Sequence, residues 1–472
     1  MVDSTPISPA TLITRISHVV PDALHITELY FQVPLDHANP QGRQLRLFGR
    51  LVRKDDRPII PLTPDEIEAR DKKPYLVYLE GGPGFGIPEP QNLSFTRYAL
   101  SKGYQLLLLD YRGTGVSSPV DARIVSLNQD TPQGQADYLS FFRADNIVKD
   151  LEAVRQTLLP SPSSTWSIFG QSFGGFVCLT YLSFYPSSLR EVFITGGLAP
   201  IKRTALEVYT ALFKKVIERN EAYYNKYPED IVRVKTITKH LIDNDPPRKL
   251  PGGGTFTLER FLSFGIGFGQ HGGLDSVHTL ILRLFTELTN QKDFTVATLQ
   301  AAEKQIPLDA NPIYAFLHEP IYCNGPGQSA DFAAFRAGQA LPQYTWLNKE
   351  QQKSFITSSD EPIYFTGEMI FPSYYESFYN LRYVTKAAEI LAKKNDWPEL
   401  YDIEQLQKNE VPVYAVSYVD DIYVDFVFAR ETARTVKGIK VYETNQMYHN
   451  ALRAKTDEVI QKLFKMRDEE LD

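Results

Sequence analysis

Short apolar runs that end in glycine-rich or charged turns recur up to about residue 200. Tyr75-Leu-Val-Tyr-Leu79, Gln105-Leu-Leu-Leu-Leu109, Trp166-Ser-Ile-Phe169 and Val192-Phe-Ile-Thr195 are four of them. Each is short and nearly continuous in apolar character, which predicts a strand buried on both faces. Before the third run, Ile147, Val148, Leu151, Val154 and Leu158 share one face of a helix from Asp145 to Leu159. Strands alternating with helices imply a parallel sheet with right-handed crossovers. Upstream, His25-Ile-Thr-Glu-Leu-Tyr-Phe-Gln-Val33 and Leu45 to Val52 alternate around the turn signal Asn39-Pro-Gln-Gly42, so residues 24–53 predict antiparallel strands. Residues 54–74, charged and Pro-rich, predict a surface loop.

The pattern breaks after Gly197. Residues 201–245 predict long helices rich in Lys, Glu and Tyr, residues 251–273 are dense in glycine, and helix resumes to about 305. Val411-Pro-Val-Tyr-Ala-Val416 and Lys440-Val-Tyr442 then predict two further strands, and Thr456 to Met466 a closing helix. No internal repeat at solenoid periods is present. The expected organisation is an α/β core with a mostly parallel sheet flanked by helices. Residues 1–200 form its first part, 201–405 a large and mainly helical cap, and 406–472 its second part.

A chain of 472 residues allows two or three compact units. Hydrophobic residues at 43% and charged residues at 23% are ordinary for a globular protein. The net charge of −7 argues against a nucleic-acid-binding surface. No stretch approaches the roughly 18 apolar residues of a membrane helix, so no membrane association is expected. The start, Met1-Val-Asp-Ser-Thr-Pro, lacks a basic region followed by an apolar one. Two cysteines, Cys178 and Cys323, cannot make a disulfide framework and suit a reducing compartment. The expected location is cytoplasmic. Cys178 lies inside an apolar helix and reads as packing.

Gly170-Gln-Ser172-Phe-Gly174 has G-x-S-x-G spacing, follows an apolar strand and opens an apolar helix. Small residues on either side let the strand turn sharply, presenting the serine hydroxyl at the end of the sheet. A serine nucleophile needs a base, itself oriented by an acid. In the fold that uses this turn the chain order is Ser, acid, His. Of eight histidines only His449 follows the last strand-like run; His271, His278 and His318 lie in the insertion and read as structural or substrate-facing. The acid should follow Val413 to Val416, where Asp420 and Asp421 compete. Neighbouring residues near a strand end point in different directions, so one alone should reach His449. Asp421 is favoured for its Asp-Ile-Tyr-Val setting; Asp425 reads as a solvated helix residue. Glu80-Gly81-Gly82-Pro83-Gly84-Phe85-Gly86 follows another strand. Without G-x-G-x-x-G or a Walker lysine it does not read as a nucleotide site. It suits half of an oxyanion hole, with the Gly82 amide as one donor and the Phe173 amide as the other.

Gly81-Gly-Pro-Gly84, Asp110-Tyr-Arg-Gly-Thr-Gly-Val-Ser-Ser-Pro119 and Gly170-Gln-Ser-Phe-Gly-Gly175, in this order and spacing, together resemble the proline iminopeptidases of the α/β-hydrolase superfamily. Where the family usually has His before Gly-Gly-Pro-Gly this chain has Glu80, and Ser-Tyr-Val-Asp-Asp stands where Gly-Arg-Tyr-Asp is usual. The resemblance implies an α/β-hydrolase fold and a serine exopeptidase with no metal or cofactor. Its substrate would be a peptide or amino-acid amide with a free N-terminus, preferably proline. A free amino or imino group is cationic near neutral pH and needs carboxylates over the nucleophile. Glu368, in Tyr364-Phe-Thr-Gly-Glu-Met-Ile-Phe-Pro372, and Glu319, in His318-Glu-Pro-Ile-Tyr-Cys323, are the candidates, with a helix-cap or salt-bridge role as the alternative for each. Phe316, Tyr322, Phe365 and Phe371 could line a pyrrolidine pocket or belong to the core. An esterase, amidase or epoxide-type hydrolase, and an inactive binding module, are the competing readings.

Overall fold

The structure, a computed structural model, describes residues 7–55, 63–161, 163–244, 246–358 and 361–469. The main sheet has nine strands: β1 (Thr11–Val20), β2 (Leu24–Pro34), β3 (Gln44–Lys54), β4 (Tyr75–Leu79), β5 (Gln105–Leu109), β6 (Trp166–Gln171), β7 (Leu189–Thr195), β8 (Val413–Tyr418) and β9 (Ile439–Thr444). Their spatial order is β1-β2-β3-β5-β4-β6-β7-β8-β9. The first three strands form an antiparallel meander joined antiparallel to β5; every later pairing is parallel.

The continuous apolar runs are buried on both faces for a reason visible in the alternation. Val77 and Leu79 point into one hydrophobic cluster with Leu107 and Leu109, while Leu76 and Tyr78 point into another with Leu106 and Leu108. Helix α2 (Ala144–Leu158) buries Ile147, Val148, Leu151 and Val154 on the first face, and α3 (Phe173–Phe184) packs beside it. The other face is covered by a short helix at Phe95–Ser101 and by the closing helix at Thr456–Asp468.

Two parts of the fold differ from the sequence expectation. Strand β1 is the edge strand and is mostly exposed on both faces, so it carries no alternation. The expected surface loop at 54–74 contains helix α1 (Pro64–Asp71); residues 56–62 of that stretch lie outside the described residues. Thr63 and Glu66 form a reciprocal capping box there, with Asp65 and Glu66 in the first turn and Arg70 in the last. Charges placed along the helix dipole, which by composition read as loop, stabilise its two ends.

Between β7 and β8 the chain leaves the sheet. The helices of this insertion include α4 (Ala205–Lys226), α5 (Asp230–Asp243), α6 (Gly273–Gln291) and α7 (Ala333–Gln339), with a small ladder between Arg248–Lys249 and Thr255–Phe256. Among the described residues no strand of the insertion joins the main sheet, and no helix is long and apolar enough to cross a membrane. Arg143, fully buried at the start of α2, ties the two parts together. It donates to Cys323 O (2.7 Å) and Pro398 O (2.6 Å), pairs with Asp145 (2.9 Å) and lies over the Trp397 ring. The Asn380 amide bridges Asp121 (3.1 Å) on the sheet side to Asp309 O (2.9 Å) in the insertion.

Asp150 of α2 faces the loop after β5. Arg112 grips it in a bidentate pair (2.7 and 2.6 Å), and His37 contacts the same carboxylate (2.8 Å). Burial works against the Asp150 carboxylate, but the Arg112 charge and hydrogen bonds, with the His37 contact, together outweigh it and hold the carboxyl below its ordinary range. Removing one partner of such a pair strands a charge. Asp150→Ala is therefore expected to destabilise the protein by about 3–5 kcal/mol, read as a lowered urea midpoint by circular dichroism.

Candidate active site

Ser172 follows β6 and caps α3 with φ 54° and ψ −123°, a backbone conformation a side-chain-bearing residue adopts only when its surroundings enforce it. The two glycines of the motif make this possible. A Cβ on Gly170 would stand 2.3 Å from Gly174 O, and one on Gly174 would stand 2.0 Å from Leu79 O. Helix α3 thus meets β6 and the end of β4 at backbone contact, and Ser172 N donates to Thr195 O (3.0 Å) at the end of β7.

The other groups arrive from the neighbouring strands. The loop after β9 carries His449, whose Nε2 lies 2.8 Å from Ser172 Oγ and whose Nδ1 lies 2.7 Å from Asp421 Oδ2. Asp421, which follows β8, is 1% exposed; its Oδ1 accepts the amides of Tyr423 (2.8 Å) and Val424 (3.2 Å). This leaves Oδ2 for the imidazole. A carboxylate only accepts, so Nδ1 carries the proton and Nε2 accepts from the serine hydroxyl. Of the two adjacent aspartates, Asp421 makes the contact with His449. Asp425 is not a solvated helix residue: it is buried and caps the helix Phe426–Thr435 by accepting Phe428 N (2.9 Å). Burial disfavours the His449 imidazolium, but the Asp421 charge and hydrogen bond, with Glu368 adding to them, hold it above its ordinary value of 6.5.

The glycine-rich turn stands against the nucleophile: a Cβ on Gly81 would lie 3.1 Å from Ser172 Cβ. Phe173 opens α3, where the first amides have no acceptor within the helix. Glu80, 2% exposed, accepts Gly81 N (2.8 Å) and meets Arg453 with both oxygens (3.2 Å each). That pair joins the turn to the segment just beyond His449.

Glu368 receives the Tyr314 hydroxyl at Oε1 (2.5 Å) and stands 3.2 Å from His318 Nε2 at Oε2. His318 Nδ1 in turn meets the Tyr209 hydroxyl (2.9 Å). Burial favours the neutral acid, yet His318, and after it His449 and Tyr314, hold the Glu368 carboxyl below its ordinary range. Glu368 and His449 thus feel each other's charge. Glu319 is placed differently. Its oxygens accept the Ala333 (3.0 Å) and Ala334 (2.9 Å) amides at the start of α7, and burial pushes its carboxyl up to about 8. These contacts are those of a helix cap. Of the four candidate pocket aromatics, Phe365 packs among Tyr223, Phe261 and Phe268, Phe371 against Phe335 and Tyr374, and Phe316 against Tyr375, all within the insertion. Tyr322 contacts Tyr209 and, on α3, Phe176. Tyr423 stacks on His449 at 4.5 Å, and Tyr314 lies 5.3 Å from Phe85 of the glycine-rich turn. Neither tyrosine carries a sequence signal beyond lying near a candidate residue. Among the described residues no cluster of three or more His, Cys, Asp or Glu side chains could hold a metal ion.

A family model described as the alpha/beta hydrolase fold matches residues 74–232. The chain is 39% identical over 469 residues to "Proline iminopeptidase aneH" of Aspergillus aculeatus, covering 99% of each. It is 39% identical over 452 residues to "Proline iminopeptidase" of Aeromonas sobria, covering 95% of this chain and 98% of that one. The solved proline iminopeptidase of Mycobacterium smegmatis matches with a TM-score of 0.42 and 13% identity, over 97% of this chain and 100% of that one.

The raised His449 value has a direct readout. Labelling of Ser172 by a fluorophosphonate needs neutral His449, so its rate is expected to fall as pH drops, with a midpoint above 6.5. Asp421→Asn should lower that midpoint and slow labelling by about 10³–10⁴-fold. A labelling rate independent of pH between 5 and 9 in the wild type would contradict it.

Proposed function

The chain belongs to the proline iminopeptidases of the α/β-hydrolase superfamily, and from that membership we propose that it releases an N-terminal residue, preferably proline, from peptides through a Ser172–His449–Asp421 triad. It is an enzyme, a serine hydrolase of prolyl aminopeptidase type. In this reading residues 201–405 are the cap that closes over the nucleophile, and the substrate is a peptide or amino-acid amide with a free N-terminus.

Ser172 Oγ attacks the carbonyl of the first residue while its proton passes to His449 Nε2. Asp421 holds the imidazole in the right tautomer and stabilises the imidazolium that forms. The Gly82 and Phe173 amides receive the developing oxyanion; one such donor contributes about 3 kcal/mol to transition-state stabilisation. His449 then returns the proton to the departing amine. Water, deprotonated by the same imidazole, releases the free amino acid from the serine ester.

The observation that carries the substrate reading is Glu368. It is a largely buried carboxylate held in its ionised form, and its charge reaches His449. Tyr314 and His318 each take one oxygen, and a carboxylate has lone pairs left for a cationic amine. An amine anchored there presents only the first carbonyl to Ser172, which makes cleavage exopeptidic. We assign amine contact to Glu368 and a supporting place to Glu319, whose oxygens already hold α7.

Glu368→Gln is expected to lower kcat/KM for proline arylamides by about 10²-fold, the cost of one charge-assisted contact of about 1.5–3 kcal/mol. Turnover of short acyl esters, which have no amine, should change by less than about threefold, and N-acetylated proline arylamide should not be cleaved by the wild type. Glu319→Gln should leave the ratio of arylamide to ester turnover unchanged. Equal losses on arylamides and esters in Glu368→Gln would sink the amine assignment. Because Glu368 helps to raise the His449 value, the same variant should also move the acid limb of ester turnover to lower pH.

A further inference from the structure

His449 is flanked by Tyr448 and Asn450, and both flanks are held by the insertion. Asn450 Oδ1 accepts two donors from His271, the main-chain N–H (3.0 Å) and Nδ1 (2.8 Å). An amide oxygen only accepts, so the contact puts the His271 proton on Nδ1. The His271 ring meets the Tyr448 ring edge-on at 5.2 Å. Arg219 of α4 also lies over the Tyr448 ring, at 4.8 Å, and donates to its hydroxyl (3.3 Å). Arg219 Nε also donates to Phe268 O (3.1 Å), which ties it to the stretch that ends in His271.

The same stretch reaches the acid loop. Tyr423 stacks on the His449 imidazole, and its hydroxyl donates to Ile266 O. Gly269 packs so tightly that a Cβ there would stand 2.1 Å from the Tyr423 ring and 2.6 Å from Ile422 Cγ1. Residues 266–271 therefore touch the loop that carries the acid, the ring stacked on the base and the residue after the base.

We propose that residues 266–271, with Arg219, form a brace that positions His449 against Asp421 and Ser172, so that the Asp–His pair is aligned only while the cap is seated on both loops. His271, Asn450 and Arg219 are positioning residues: they act through the orientation of the imidazole and touch no reacting atom. Hydrogen-bond catalysis tolerates only about 0.5 Å and 10–20° of error in such groups. The inference rests on the triad proposed above, though not on the identity of the substrate.

The test compares His271→Leu, His271→Asn and Arg219→Met in the full chain, well below each variant's unfolding temperature. His271→Leu is expected to lower kcat and the rate of fluorophosphonate labelling together by about 10–100-fold, since misplacing a catalytic group by about 1 Å can cost about 10²-fold, with KM for a proline arylamide changed by less than about twofold. The downfield proton signal of His449 Nδ1 should broaden or disappear. His271→Asn, whose side-chain N–H stands in for Nδ1–H, should restore labelling to within about threefold of wild type, a rescue that a general loss of packing would not give. Arg219→Met carries the same expectation from the other flank and keeps the test valid should His271→Leu fail to fold. Wild-type labelling rates and an unchanged downfield signal in folded His271→Leu or Arg219→Met would overturn the brace. A wild type that labels normally but leaves proline arylamides intact would overturn the substrate reading and not this one.

Discussion

One hydrogen bond, from Ser172 Oγ to His449 Nε2, joins residues 277 positions apart in the chain, and the architecture can be understood as what makes it possible. The strand order places β6, β7, β8 and β9 side by side and parallel, so their carboxyl ends open on one edge. The serine leaves β6, the acid leaves β8 and the histidine leaves β9. Loops from adjacent parallel strands need only a few residues to converge, and each can be short and rigid. The strained backbone at Ser172 is tolerated because the β6–α3 junction leaves no room for side chains at the two motif glycines.

Charge then decides what such a centre can accept. His449 is buried against one carboxylate by hydrogen bond and within the field of a second, Glu368. Burial opposes ionisation of both the imidazole and Glu368, and each is ionised more readily because opposite charges stand nearby. Glu368 is not free to relax, since Tyr314 and the Tyr209–His318 pair hold its two oxygens. In the proposed reading, a fixed anion in the field of the base favours a cationic substrate group over a neutral one.

The insertion is therefore more than a cover. Arg143 binds it to α2 through backbone carbonyls near Cys323 and Trp397. Tyr314 packs on the glycine-rich turn, and Glu368 brings its charge to the base. One departure from the family pattern fits the same logic. Glu80 replaces the usual histidine, and with Arg453 it links the turn to the segment following His449.

Much of this was legible in the chain. Continuous apolar runs marked β4, β5, β6 and β8 because a strand buried on both faces has no polar side to show. The nucleophile turn was legible because its Gly-x-Ser-x-Gly spacing is local, although the group that excludes a side chain at Gly174 is Leu79 O of β4. Strand β1 was not, since an exposed edge strand leaves no hydrophobic period. Asp421 was favoured over Asp420 from its local setting, and the turn amides of Tyr423 and Val424, two and three residues on, are what orient it. The roles of Tyr314, His318 and Tyr423 depended on contacts between segments far apart in the sequence. By itself the sequence determined the elements, the nucleophile turn and the residue types available for catalysis, because those follow from spacing along one strand or helix. Only the tertiary structure decided which carboxylate faces the base, which one caps a helix and which insertion residues hold the catalytic loops. Direction and distance across the fold are set by packing that no local pattern encodes.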